Sequence, residues 1–410
     1  MTVLLLTVVS IVLAGIAVLP GSLGILKLTY KLTATSRGAF IVFRLSLPVY
    51  IVSLVLLASA GFVAVGQEGS LPTVFIGILL VGGISVFGFL MHVSFMFKPI
   101  RKPSHISLDE AIKRFGDKEE VVGVIDGHGN PYAYIARLQR RPHIIFEPNA
   151  ETPFISSHCI LAHSSMAYEL SGDFTEPEIC ISSALANNLV FYEKNRHWSV
   201  QQIYNSTRDG NNHLQTLPTV MTSLGRWQQL YPESKIWVRQ TEWRDTFYLK
   251  LLARASVIDP QSPDLVYPLQ HEVDTRLPLK SYVNGVQIGD DVKAYPLDLF
   301  RDQQVVEDAL GGEHFVFFAS TDADFVQLFS PKLAGGKSAT FRTSNDNSFE
   351  DIETGSIWDL KGECIEGKLR GQKLRAIPHY NKIFWFCWAD FFPMTSIYEK
   401  TEKMHAAHYE

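Results

Sequence analysis

The N-terminal quarter of the chain contains three long runs of apolar residues separated by short polar loops. The runs cover residues 2–19, 45–66 and 72–97. An α-helix rises about 1.5 Å per residue, so each run is long enough to cross about 30 Å of hydrocarbon. The first run lacks a basic n-region and a small-residue cleavage site, which favours a membrane helix over a cleaved signal peptide. The pattern therefore predicts a membrane anchor of three transmembrane α-helices over residues 1–104.

Basic residues in the short loops predict how this anchor is oriented. They are concentrated between the first and second runs and directly after the third, whereas Gln67 and Glu68 are the polar residues of the second loop. The basic residues are Lys27, Lys31, Arg37, Arg44, Lys98, Arg101 and Lys102. Because short loops rich in lysine and arginine stay in the cytoplasm, we expect the N-terminus outside and the C-terminal soluble region in the cytoplasm.

Beyond the anchor, short apolar segments alternate with turn residues. Residues 121–125 and 132–138 flank a turn of Asp, Gly, Asn and Pro at 126–131, which predicts a β-hairpin. Further short segments recur at about ten-residue intervals, as in sheet-rich proteins and unlike the alternation of strands and long helices in α/β folds. We expect a β-rich, α+β soluble region.

Two short helices are also predicted in the first half of this region. Ser107 is placed to cap a helix that ends at Phe115, with Glu110 three positions on. Residues 217–231 carry apolar side chains at helical spacing, and Pro218 is predicted to begin that helix.

The soluble region contains landmarks that occur twice, in one order and at a nearly constant offset. The matching pairs are Gly123 and Gly285, Ala133-Tyr134 and Ala294-Tyr295, Glu193 with Trp198 and Glu353 with Trp358, and Leu217-Pro218 and Ile377-Pro378. This order predicts two pseudo-repeats. We assign the first repeat to residues 105–240, a linker to 241–274, the second repeat to 275–398 and a tail to 399–410.

Composition and charge exclude some classes of function. The chain of 410 residues is 46% hydrophobic and 19% charged, with a formal net charge of -5. Nucleic-acid binding needs a basic face, so no nucleic-acid partner is expected. The four cysteines are scattered and form no CxxC pair, so no disulfide framework is predicted.

One cluster combines soft and borderline metal ligands: His158, Cys159 and His163. Thiolate and imidazole groups suit copper or zinc. Neighbouring side chains of a strand point to opposite faces, so Cys159 and His163 can share a face, whereas His158 joins them only if the strand bends. The competing interpretation is a buried free cysteine beside hydrogen-bonded histidines. A Cys159–His163 nucleophile and base is a further alternative, although no third orienting group is evident.

Several motifs carry a resemblance to a known family. They are Lys293-Ala294-Tyr295-Pro296, Asp308, Gly311-Gly312, Glu353-Thr354-Gly355-Ser356 with Trp358, and Trp388 with Pro393. In this order they resemble the domain-of-unknown-function family 3179 over about residues 119–398. Members typically carry a Tyr-Cys-Pro-x-Cys strand, of which only Cys159 is kept here, because Ala162 replaces the second cysteine. The family is usually exported, so the resemblance implies an extracytoplasmic domain, in conflict with the loops, and it implies no particular activity.

The leading functional prediction is a non-catalytic, membrane-anchored binding protein or accessory subunit of a larger membrane assembly, without a cofactor. Its expected partners are the lipid bilayer and other membrane proteins. The prediction rests on the glycine-lined spans, the incomplete cysteine motif and the aromatic run 384–392, interpreted as a core or an interface. The alternative is a metal protein or enzyme that uses copper or zinc at Cys159, His158 and His163 in the first repeat.

Overall fold

A computed structural model describes residues 1–23, 28–251, 254–333 and 335–399 of the chain. The helices are α1 (Thr2–Leu23), α2 (Tyr30–Thr33), α3 (Ser36–Phe40), α4 (Ser46–Val65), α5 (Leu71–Met91), α6 (Val93–Met96), α7 (Leu108–Phe115), α8 (Ala136–Gln139), α9 (Leu224–Leu230), α10 (Trp243–Leu251), α11 (Ala255–Ile258), α12 (Leu299–Asp302) and α13 (Trp385–Phe391). The strands up to residue 240 are β1 (His105–Ile106), β2 (Glu120–Ile125), β3 (Pro131–Ile135), β4 (Ile144–Glu147), β5 (Phe154–Cys159), β6 (Ser164–Glu169), β7 (Ile179–Leu185), β8 (Asn188–Glu193), β9 (Trp198–Gln201), β10 (Ser206–Thr207), β11 (Thr216–Leu217), β12 (Thr219–Ser223) and β13 (Lys235–Trp237). Those that follow are β14 (Tyr282–Ile288), β15 (Asp291–Pro296), β16 (Val305–Leu310), β17 (Glu313–Ala319), β18 (Val326–Phe329), β19 (Phe341–Asn345), β20 (Ser348–Asp351), β21 (Ile357–Asp359), β22 (Cys364–Glu366), β23 (Tyr380–Phe384) and β24 (Ser396–Ile397).

Three helical segments are long and apolar enough to span a membrane: Thr2–Ser22, Ser36–Val65 and Leu71–Met91. A π-helical turn at Ile41–Leu45 joins α3 to α4, so the second segment begins earlier than the sequence predicted. The third segment ends earlier than predicted, because His92 leaves the helical conformation with ψ of 130°. The ring of His92 then accepts a hydrogen bond from the Ser94 amide and caps α6.

The three long helices pack with α1 against both α4 and α5. The hydroxyls of Ser10 and Ser53 each donate to the other residue's carbonyl at 2.8 Å. Ser22 donates to the Gly88 carbonyl, also at 2.8 Å. A Cβ on Gly88 would lie 1.7 Å from a Val18 methyl group, so glycine is required for this close approach.

The first loop is folded against the soluble region. The Ser199 hydroxyl donates to the Ala34 carbonyl at 2.7 Å, and the Arg44 guanidinium donates to the Lys194 carbonyl at 2.9 Å. Residues 28–44 therefore lie on the same side of the three helices as the soluble region. The connection after α6 is fixed as well, since Arg141 donates to the Met96 carbonyl at 3.0 Å.

The soluble region is sheet-rich and consists of several small sheets. In the first lobe, residues 105–240, the sheet orders are β1-β13-β3-β2-β12, β11-β6-β5-β4 and β10-β9-β8-β7. The β2–β3 hairpin has β12 antiparallel to β2 and β13 parallel to β3. Helix α9 follows β12 and packs Trp227 against Gly123, where a Cβ would lie 2.1 Å from the indole. The Trp227 indole N–H donates to the Ser234 hydroxyl at 2.8 Å.

The second lobe, residues 275–398, contains sheets of order β23-β14-β15-β24, β16-β17-β18 and β19-β20-β21-β22. The β14–β15 hairpin has β23 antiparallel to β14 and β24 parallel to β15. Helix α13 follows β23 and packs Trp388 against Gly285, where a Cβ would lie 2.4 Å from the indole. The Trp388 N–H donates to the Thr395 hydroxyl at 2.8 Å.

Some predicted elements need correction. The helix predicted to begin at Pro218 begins at Leu224, because residues 219–223 extend the hairpin sheet as β12 and Ser223 caps the helix. The helix capped by Ser107 is observed as α7. The predicted linker 241–274 contains α10 and α11. Apart from Glu399, the predicted tail 399–410 lies outside the described residues.

The aromatic run at residues 384–392 belongs to the core of the chain. It forms the end of β23, all of α13 and the residue that follows, and each of its side chains is buried. The sequence was compatible with either a core or an interface for this run, and the burial of every side chain identifies it as core. The run therefore no longer supports an interaction surface.

Candidate functional site

The turn between β5 and β6 carries the three residues predicted as metal ligands. His158 and Cys159 are the last residues of β5, and His163 immediately precedes β6. His163 has φ of 49°, in the left-handed region, so strand alternation does not hold through the turn. As a result the rings of His158 and His163 lie side by side, with centroids 6.3 Å apart.

Cys159 points into the apolar core. Its thiol donates to the Asn187 carbonyl at 3.3 Å, and the residue is part of a buried apolar cluster with Met166 and Cys387. Burial raises the pKa of the Cys159 thiol to about 11, although neighbouring backbone groups oppose the shift. Since the thiolate is the form that attacks and binds metals, this environment favours the unreactive thiol.

His158 is held as a neutral ring inside the protein. Its Nδ1 lies 2.9 Å from the Ser165 hydroxyl, and its backbone carbonyl accepts a hydrogen bond from His143 Nδ1 at 2.9 Å. Burial, together with the neighbouring His163, lowers the pKa of His158 to about 3. The ring is therefore uncharged at neutral pH.

His163 uses both ring nitrogens. Nδ1 donates to the Lys382 carbonyl at 2.8 Å, and Nε2 lies 3.2 Å from the Glu120 carboxylate. Both partners are acceptors, so each ring nitrogen faces an oxygen atom. Burial raises the pKa of Glu120, but His163, Lys382 and His158 outweigh burial and lower it to about 2.

A second group of bonds continues this contact between the lobes. The Lys382 ammonium donates to the Asp324 carbonyl at 2.8 Å and lies 3.4 Å from its carboxylate. The Asp324 carboxylate accepts from the Ser223 hydroxyl at 2.6 Å and the Thr222 hydroxyl at 3.0 Å. Asp324 and Lys382 belong to the second lobe, and Thr222 and Ser223 to the first. We call the set Glu120, His158, His163, Asp324 and Lys382 the inter-lobe cluster.

Comparison with known proteins places the chain in a family. A family model described as "Protein of unknown function (DUF3179)" matches residues 98–395. The chain belongs to this family. No curated protein and no solved structure matches it. The DUF3179 match begins at Lys98, two residues after α6, and thus covers the soluble part but none of the three long helices.

The DUF3179 domain brings two of the three predicted ligands together and separates the third. His158 and His163 join the inter-lobe cluster, whereas Cys159 donates to a backbone carbonyl in the core. Within residues 1–23, 28–251, 254–333 and 335–399, no three His, Cys, Asp or Glu side chains are grouped to hold a metal ion. The arrangement joins the lobes through charged hydrogen bonds.

The sequence patterns predicted no role for Glu120, Asp324 or Lys382. Lys382 is the charged residue of β23, Tyr380–Phe384, a strand whose residues are all buried, and its side chain is 9% exposed. A lone charge in an otherwise buried strand needs a partner, which could have identified Lys382 as part of an internal contact. Glu120 begins β2 and Asp324 lies in a turn, positions at which charged residues are ordinary and carry no such information.

Proposed function

We propose that this DUF3179 protein is a membrane-anchored, non-catalytic accessory subunit of a larger membrane assembly, with the soluble region as its binding platform. The observation that carries the proposal is that the side chains able to take part in chemistry form hydrogen bonds inside the fold. His163 Nδ1 donates across the two lobes to the Lys382 carbonyl, and its Nε2 contacts Glu120 within the first lobe. The Lys382 ammonium binds Asp324 within the second lobe, and the side chains of His163 and Lys382 are both mostly buried. Such a junction favours a rigid scaffold over a reaction centre.

The anchor offers a surface for a neighbouring membrane helix. Gly77 and Gly88 are used within the three-helix packing, where an added Cβ would collide with α1. Gly82 and Gly83 of the same helix α5 have no atom within 4 Å of an added Cβ. Small residues on an open helix face allow close approach of another helix in lipid, which supports an accessory role.

We further propose that the soluble region lies in the cytoplasm. Lysine and arginine residues are concentrated in the first loop, and short loops of this composition are retained there. The hydrogen bonds from Ser199 to Ala34 and from Arg44 to Lys194 support a common side for this loop and the soluble region. Cysteine-reactive or protease probes added to sealed, oriented vesicles would test this orientation.

We also propose that the two lobes descend from one duplicated unit, as the sequence landmarks predict. Support comes from the hairpin sheets, because each lobe adds one antiparallel and one parallel strand to its hairpin in the same chain order. Each lobe also packs a tryptophan, Trp227 or Trp388, against the glycine of its hairpin, Gly123 or Gly285. In this scheme the cysteine and histidine residues of the β5–β6 turn belong to the first copy alone.

Purification in mild detergent after cross-linking in native membranes tests the accessory role. The wild-type protein and Cys159→Ala should carry the same cross-linked membrane proteins, and neither should contain stoichiometric metal by elemental analysis. Cys180→Ala, another buried free cysteine, is the matched control for loss of a thiol. Recovery of the protein without any partner above the level of an unrelated three-helix membrane protein would contradict the proposal.

The second candidate is a copper or zinc site at His158, Cys159 and His163. The observation that favours it is the 6.3 Å separation of the two imidazole rings, with the Glu120 carboxylate beside His163. Binding would require Cys159 to leave its bond to Asn187 and lose its proton. Stoichiometric copper or zinc in the wild type, absent from Cys159→Ala and His163→Gln, would establish this candidate in place of the first.

A further inference from the structure

A basic cavity lies where the segment after α6 crosses the first lobe. Its volume is about 500 Å³. Three of its lining residues, Arg101, Lys102 and Pro103, come from that segment, and the others, including His105 of β1, come from the first lobe. The cavity is distinct from the inter-lobe cluster and shares no residue with it.

Three cationic side chains line this cavity without a salt bridge. Arg101, Lys102 and Lys235 are exposed, and in the described part of the chain none of them forms an ion pair with an aspartate or glutamate. Like charges at close range repel, and the chain as a whole has a net charge of -5. The Glu178 carboxylate is close enough to interact with Arg101 but does not form an ion pair with it. Three cations without a direct ion pair therefore indicate a surface suited to an anion.

The Arg101 guanidinium is already oriented. It stacks over the Phe146 ring, 4.5 Å from the centroid, and one N–H donates to the Pro177 carbonyl at 3.1 Å. A guanidinium has five N–H donors, so most remain for a ligand. Because the stacked plane is fixed, less rotamer entropy is lost when the remaining donors bind a tetrahedral oxyanion.

The acidic residue of the cavity, Glu147, is engaged by the protein. Its Oε1 accepts from the Tyr134 hydroxyl at 3.0 Å and lies 2.8 Å from His105 Nε2. Glu147 is only 4% exposed, so its carboxylate acts mainly on these two partners. Tyr132 also lines the cavity, and burial together with nearby carboxylates raises its pKa, which keeps its hydroxyl as a neutral donor.

We propose that this cavity binds the phosphate group of a ligand, carried either by a membrane lipid or by a soluble molecule. Arginine binds phosphate through its planar guanidinium, and lysine binds it as a point charge. The cavity contains one arginine and two lysines. Its place in the chain favours a lipid source, because Arg101 lies only ten residues after Met91, the end of the third apolar segment.

The test uses the full-length protein and removes two charges from the cavity. In detergent, native mass spectrometry would measure binding of phosphatidylglycerol, with diacylglycerol as the phosphate-free lipid. Calorimetry would measure binding of glycerol 3-phosphate, which carries the phosphate without acyl chains. The variant is Lys102→Gln with Lys235→Gln. The matched control is Lys337→Gln with Lys368→Gln, two exposed lysines of the second lobe that lie outside the cavity.

Each lost charged contact should weaken binding by roughly tenfold, so the cavity variant, which loses two, should bind the phosphate ligand about a hundredfold more weakly. The control variant should bind as the wild type does. Binding of phosphatidylglycerol alone identifies a lipid headgroup, and binding of glycerol 3-phosphate identifies a soluble ligand. The proposal is overturned if neither probe binds, or if the cavity variant loses no more binding than the control variant. These outcomes are independent of the accessory role, which the cross-linking experiment tests separately.

Discussion

Acidification should destabilise the soluble region steeply between pH 7.5 and 5. Three histidines, His143, His158 and His379, are buried as neutral rings. Burial lowers their pKa values to about 4, 3 and 4, respectively. An unfolded histidine has a pKa of about 6.5. The unfolded chain therefore takes up protons below pH 6.5 that the folded chain does not, so stability is full above pH 6.5 and falls as the pH falls.

The size of the effect follows from proton linkage. One such ring costs about 1.4 kcal/mol for each pH unit well below 6.5, which amounts to about 2 kcal/mol on going from pH 7.5 to 5. Three rings then cost about 6 kcal/mol, against a typical total stability of about 5–15 kcal/mol. Glu120 acts in the same direction only at lower pH. Its folded pKa is lowered to about 2, so its contribution is complete above its unfolded pKa, near 4.5, and is lost below it.

Thermal unfolding monitored by tryptophan fluorescence would measure the loss of stability on acidification, because five tryptophans are fully buried in the soluble region. The midpoint in mild detergent at constant ionic strength should fall by about 10 °C or more between pH 7.5 and 5. His158→Gln keeps a partner for Ser165 and removes one titrating ring, so about a third of the fall should disappear. His314→Gln, at an exposed position, is the control and should leave the fall unchanged.

Two results would refute the reasoning. A midpoint that stays within about 2 °C from pH 7.5 to 5 would mean that the buried rings take up protons in the folded state. An unchanged pH dependence in His158→Gln would mean that other groups cause the destabilisation. Hydrogen exchange of β5 and β23 at both pH values would then show whether the region around the rings opens locally.

Three further predictions concern single side chains. Gly285→Ala places a Cβ 2.4 Å from the Trp388 indole and should lower the free energy of unfolding by about 1–3 kcal/mol in chemical denaturation. The control, Gly82→Ala, meets no atom within 4 Å and should lower it little. Equal effects of the two substitutions would contradict the packing of Trp388 on Gly285. Iodoacetamide at pH 8 should modify Cys159 only after unfolding, since burial raises its pKa to about 11, and rapid labelling of folded protein would show an accessible thiolate. Lys382→Met should cost about 3 kcal/mol by leaving Asp324 without its ammonium partner. Asp324 accepts from Thr222 and Ser223 of β12, so the change should be measurable as faster hydrogen exchange in β12, and unchanged exchange would show that Lys382 does not support this contact between the lobes.

Local sequence patterns predicted the parts of the fold that depend on neighbours along the chain. The hairpin around residues 126–131 follows from its turn residues, and α7 begins after Ser107, whose hydroxyl accepts from the Glu110 amide at 3.3 Å. The glycines of the two Trp–Gly contacts, Gly123 and Gly285, are among the positions that the constant offset paired. The same offset was less informative about side-chain roles. Glu193 caps its turn by accepting a hydrogen bond from the Arg196 amide. Its counterpart at the constant offset is Glu353, but the Trp358 indole N–H donates to Asp351 instead, at 2.9 Å.

The candidate site was less predictable because it depends on a turn and on distant segments. Strand alternation pairs Cys159 with His163, but the left-handed φ of His163 turns its ring toward His158 instead. The partners of His163, Glu120 and Lys382, are 43 and 219 residues away along the chain. No local periodicity specifies such contacts, since one arises when β2 packs beside the β5–β6 turn and the other when the two lobes pack.

The docking of the first loop has a practical and an evolutionary consequence. Ala39 packs with Cys180 and Tyr192 of the soluble region in one buried apolar cluster. A fragment that starts at residue 98 would uncover this surface, so we expect it to aggregate or to need detergent even though it contains the whole family domain. The anchor is therefore not an interchangeable tether. A lineage that exchanged it for another membrane segment would also have to replace the face of the domain on which residues 28–44 rest.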